Sequence, residues 1–136
     1  MRKKTAAIFL ILALLMVLFF TFQNPEQSRD LSEAVRSWLE SIGIDVEYKS
    51  LRSNIHILEY FIVGLAVCGY CRKPWIGALI GCGIGLLDEC LKVFLPGREF
   101  STGDLIKDYV GIWVAVGLVY VGSRIRQVKK SRGGRQ

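Results

Sequence analysis

The chain has 136 residues, 51% of them hydrophobic, which is enough for one domain and too apolar for an ordinary soluble one. Its net charge of +6 would suit a nucleic-acid binder. The basic residues gather at the two ends, however, and no segment resembles a nucleic-acid module, so that class is excluded and membrane topology accounts for the charge.

The chain opens Met-Arg-Lys-Lys and continues into an uncharged apolar run over 6–22. The run is longer than the core of a secretory signal and ends Phe-Phe-Thr-Phe-Gln-Asn without a small-x-small cleavage site, so it is expected to remain as a first spanning helix. Residues 23–54 form a polar connection. Within it Asp30 and Glu33 have capping-box spacing. Leu31, Ala34, Val35, Trp38, Leu39 and Ile42 recur with helical period, and Gly43 supplies a stop. This predicts a short amphipathic helix over 31–42, lying on the membrane surface or over the bundle.

Further spans are predicted at about 55–70, 75–95 and 104–122. The second contains His56 and Glu59. A Cys-Arg-Lys-Pro turn separates it from the third, which carries Gly77, Gly81, Gly83 and Gly85 and then Asp88, Glu89 and Lys92. Small residues of this kind let helices approach closely in lipid. Pro96-Gly97 breaks the third span. The fourth begins near Asp104, includes Lys107 and Asp108, and has Gly111 and Ala115 as a small-xxx-small pair. Residues 123–136 are a basic tail, expected to be irregular and to lie near anionic headgroups. Cys68, Cys71, Cys82 and Cys90 all fall in or beside spans, none in the long loop where an extracellular disulfide would sit. Cys68-x-x-Cys71 has redox or zinc spacing, but without a second pair the reading as small buried hydrophobes is preferred.

The fold class is therefore an all-α membrane protein with four transmembrane helices and a short extracellular amphipathic helix between the first two. Residues 1–122 form the membrane domain and 123–136 the cytoplasmic tail. Arg2, Lys3, Lys4, Arg72, Lys73 and the basic tail share one side in this arrangement, which the positive-inside rule makes cytoplasmic, so both termini are expected there.

Depth is the informative consequence. At about 1.5 Å per residue, His56 and Glu59 lie within roughly 10 Å of the outer surface, Asp88 and Glu89 at about 10–12 Å, and Asp104 and Asp108 in the first turns of the fourth span. Arg52 and Arg98 border the same mouth. Arg52, His56 and Glu59 are spaced to share one helical face, provided the helix starts early enough. Asp104 and Asp108, at i and i+4, repel unless a cation or proton lies between them, and Arg98 is the expected cation. Two readings stay open: an ion-pair network that fixes register, or a polar pocket for a headgroup, a lipid-linked substrate or an ion. Acids beside a histidine also suit acid–base chemistry or a divalent metal, but no sequential motif specifies a metal or cofactor.

The run Arg52-Ser-Asn-Ile-His56-Ile-Leu-Glu59-Tyr60 with Gly64 resembles the second-helix signature of VanZ-like membrane proteins. Asp88-Glu89, Pro96-Gly97-Arg98-Glu-Phe-Ser101, Asp104, Asp108 and Gly111 are similar to that family's second signature. The resemblance covers about residues 50–118. It departs from the family pattern at Lys92, where Gln is usual, and at Asn54 and Ala115, where smaller residues are common. It implies a small bacterial cell-envelope protein, related to an accessory determinant of resistance to teicoplanin, a lipid-tailed glycopeptide.

The function expected is binding or modification of an envelope lipid or amphiphile in an outward-facing pocket. The partners would be membrane lipids or a lipid-linked envelope component, in the bacterial cytoplasmic membrane. His56, Glu59, Asp88 and Glu89 are the candidate chemical groups, and Arg52, Tyr60, Arg98, Ser101, Asp104 and Asp108 the candidate ligand-binding groups. A small transporter and a non-catalytic partner of another membrane protein are the alternatives. Neither enzymatic activity, a metal nor an oligomeric state is specified by the sequence.

Overall fold

The structure is a computed structural model that describes residues 3–23, 25–71 and 73–133. Five helices follow in order: α1 (Lys3–Thr21), α2 (Pro25–Ser41), α3 (Tyr48–Cys71), α4 (Pro74–Lys92) and α5 (Thr102–Gly133). All but α2 are long and apolar enough to cross a membrane. The described residues contain no strand. The chain is thus a multi-pass, all-helical membrane protein.

Helix α3 is the hub. It packs most extensively against α5, then against α4 and α1, and it also carries α2. Its buried face presents Tyr60, Val63, Ala66 and Val67 to Ile112 and Val116 of α5 and Ala78 of α4, with Ala13 and Val17 of α1 closing the core. Small residues set the distances. A Cβ added at Gly111 would run into the backbone of Ile57 and Phe61, and one at Gly64 would lie 2.8 Å from Ala115 Cβ. The small-xxx-small pair on α5 is therefore the α3 contact itself. Gly77 fits over Cys68, whose thiol points to Pro74 O at 3.8 Å. All four cysteines are free.

The outside is apolar and the inside carries the charge. Leu79 and Trp75 are 70% and 66% exposed, whereas Glu59, Asp88, Glu89, Lys92 and Asp108 are each 6% exposed or less. A water-soluble bundle has the opposite arrangement, and apolar flanks facing outward are what lipid requires.

Several boundaries differ from expectation for local reasons. The amphipathic helix starts at Pro25 rather than 31, so Asp30 lies inside it. Proline is pre-organised for a first helical position and lacks only an N–H that would be unpaired there. Gly43 ends the helix as expected, at φ +85°, with Ile44 N donating to Leu39 O and Gly43 N to Glu40 O. Helix α3 begins at Tyr48, early enough to include Arg52. Helix α4 stops at Lys92, and residues to Leu95 continue as turns, with Leu95 N on Lys92 O at 3.0 Å. The tail expected to be irregular is helical to Gly133. No glycine or proline interrupts 123–132, Arg and Lys are good helix formers, and Arg124 reaches back to the Tyr120 hydroxyl at 2.9 Å.

Candidate functional site

The alternation of the spans brings four helix ends together: the C-termini of α1 and α4 and the N-termini of α3 and α5. Between them lies a cavity of about 190 Å³, lined by His56 and Glu59 of α3, Asp88 and Lys92 of α4, Arg98, and Asp104 of α5. Helix α2 covers it with Ser28, Leu31 and Ser32. The apolar stripe of α2 is thus divided. Leu31 faces the cavity, while Trp38 and Ile42 are more than half exposed, as suits a membrane interface.

Lys92 is the central cation. One turn of helix separates it from both acids, so its ammonium reaches Asp88 Oδ2 at 2.9 Å and also bonds Glu89 Oε1. The other oxygen of Glu89 accepts the Ser101 backbone N–H at 2.9 Å. Ser101 in turn caps α5, its hydroxyl accepting Asp104 N–H at 3.2 Å. A single residue therefore ties a buried acid of α4 to the start of α5. Asp88 also contacts the Thr21 hydroxyl at the end of α1. Thr21 is 1% exposed and is the first span's polar contribution to the site. A lone threonine ending an apolar run carries little sequence signal, and its depth is the only pointer to it.

Arg98 does not lie between Asp104 and Asp108. Its guanidinium donates to Gln23 O at 2.6 Å and Phe20 O at 3.3 Å, satisfying carbonyls left open where α1 ends. The two aspartates find other partners. Asp104 pairs with Lys107 at 2.8 Å. Asp108 is fully buried and faces His56 Nδ1 at 3.5 Å. Tyr60 is buried with its hydroxyl beside Asp88. Glu59 is buried and lines the same cavity as Lys92 and Arg98. Arg52 lies in α3 four residues before His56, but its side chain is outside the described residues. Every other candidate residue thus lies in or against one cluster. The arrangement offers carboxylates and an imidazole to a polar group inside, with Phe20, Leu31 and Ile55 as apolar lining.

Four spans that turn apolar side chains outward and gather acids, a histidine and a lysine at one end define a membrane protein with a polar site between its helix ends. The profile of the VanZ/LLP1 family matches residues 6–123, and the chain belongs to that family. Comparison with curated proteins and with solved structures gave no match.

Proposed function

We propose that the chain is a bacterial cell-envelope protein that binds the headgroup of a membrane lipid or lipid-tailed amphiphile in this cavity. Acting from the outer leaflet of the cytoplasmic membrane, it lowers susceptibility to lipoglycopeptides such as teicoplanin. The observation that carries the reading is the cavity itself: charged groups from three spans line one chamber that also has apolar walls. An amphiphile matches both chemistries. Its polar head meets His56, Glu59 and Asp104, and its chain runs along the apolar exterior of the helices. A small transporter is disfavoured by what lies beneath the cavity, where Val63, Ala66, Val67 and Ile112 form an apolar core with no polar path onward among the described residues. Helix docking to a partner protein is the remaining alternative.

The test expresses the wild type and the His56→Gln and Glu59→Gln variants at equal membrane abundance in a teicoplanin-sensitive bacterium. The wild type should raise the inhibitory concentration, and both variants should return it to the level of the empty vector. Protection retained by both variants would move the function away from the cavity.

A further inference from the structure

Among the described residues, the buried acids around Lys92 outnumber the buried cations. Glu59, Asp88, Glu89 and Asp108 are all buried, and Lys92 is the one lysine or arginine buried with them among the described residues. A carboxylate in such surroundings is costly without a counter-charge or hydrogen bonds. Lys92 answers Asp88 and Glu89. Asp108 is left with neither oxygen hydrogen-bonded, although it is 0% exposed. One oxygen each from Asp88, Glu89 and Asp108 can be chosen so that all lie within 4.8 Å of one another.

A group that is not an acid points to the same place. Tyr60 is 1% exposed, and its hydroxyl sits among Asp88, Asp108 and Glu59 without a hydrogen bond of regular geometry. Its ring is held there by Gly85, where a Cβ would come within 3.3 Å of Tyr60 Cε1 and 3.5 Å of Asp108 Cβ. Buried hydroxyls normally find partners. A buried phenol oxygen without a regular hydrogen bond, beside Asp88, adds a neutral oxygen donor to the carboxylates.

We propose that Asp88, Glu89 and Asp108, with the Tyr60 hydroxyl as a further oxygen, bind a hard divalent cation, and that the Lys92 ammonium competes for the same place. An all-oxygen donor set selects magnesium, calcium or manganese over zinc or copper. His56 Nδ1 lies 3.5 Å from Asp108 Oδ1, beside that ligand. The two positive charges of the ion, together with Lys92, would offset three of the four buried acids. Binding of the ion does not depend on the lipid-headgroup reading and is tested without any lipid ligand.

The experiment titrates the full chain, purified in detergent and stripped of metal, with Mn²⁺ by electron paramagnetic resonance. Its thermal unfolding is followed in Ca²⁺ and in Mn²⁺. The wild type should show one saturable site and a melting temperature that rises with either ion. Lys92→Gln, with its competing charge removed, should melt lower than the wild type without metal and bind Mn²⁺ at least about tenfold more tightly. Asp108→Asn should keep its helical circular dichroism and lose the site. Absence of saturable binding in both the wild type and Lys92→Gln overturns the proposal, as does wild-type binding by folded Asp108→Asn. If Asp108→Asn does not fold, Tyr60→Phe decides: weakened binding supports the site, and unchanged affinity overturns it.

Discussion

Arg98 shows how a single residue can be read to the correct place and the wrong partner. Its position after Pro96-Gly97 puts it at the mouth of the site, as the sequence implies. Its partners are main-chain carbonyls at the end of α1, which no side-chain pattern reveals. The charge-assisted bond to Gln23 O joins the loop after α4 to the first span, so Arg98→Ala should lower stability by about 1–2 kcal/mol. Arg98→Lys should recover part of the loss, because a lysine supplies the charge without the planar fork. Reversible unfolding in mixed micelles would measure both, and equal stability of Arg98→Ala and the wild type would deny the cap any energetic role. Ser101 is a finer case. Its hydroxyl caps α5 while its backbone N–H holds Glu89. Ser101→Ala removes the first interaction and spares the second, and should cost about 1 kcal/mol. Loss of any Glu89-dependent function in that variant, at full abundance, would show that the cap also fixes the acid.

At the scale of elements, the two ends of a helix are not equally legible. Gly43 announces the end of α2, because only a residue tolerant of positive φ closes a helix in this way. The start is harder to place, since Asp30 and Glu33 satisfy a capping pattern inside a helix that Pro25 has already begun. The spans themselves are legible from hydropathy, and their contacts are partly legible from glycines. Gly111 faces the backbone of α3, whereas Gly117 on the same helix faces outward, with open space where a Cβ would stand. Gly111→Leu should therefore drive α3 and α5 apart and destabilise by about 3 kcal/mol or more, the upper end of overpacking costs. Gly117→Leu should stay within about 0.5 kcal/mol of the wild type. Thermal melts of the two variants in one detergent make the comparison, and equal losses would mean that the α3–α5 approach is not the tight one.

For the whole molecule, the convergence of charge at one depth is legible because each span's direction follows from the one before. How the charges pair is not, since Lys92, Lys107 and Arg98 are all within reach of several acids and only the packing assigns them. Orientation is the property on which the proposed outer-leaflet action depends. Helix α5 has 32 residues and is about 48 Å long, against a hydrocarbon thickness of about 30 Å. Its basic end, with Arg124, Arg126, Lys129 and Lys130 exposed, therefore extends past the membrane. These charges, and Lys73 between α3 and α4, lie at the end opposite the cavity, and the positive-inside rule predicts from them a cavity that faces outward, in line with the proposed action. In a variant with all four cysteines changed to alanine, Ser41→Cys at the end of α2 should react with a membrane-impermeant maleimide in intact cells. Gln127→Cys in α5 should react only after permeabilisation. The reverse pattern would place the cavity at the cytoplasmic face. It would then have no access to an antibiotic acting outside, and the resistance reading would fail even if every pocket residue proved functional.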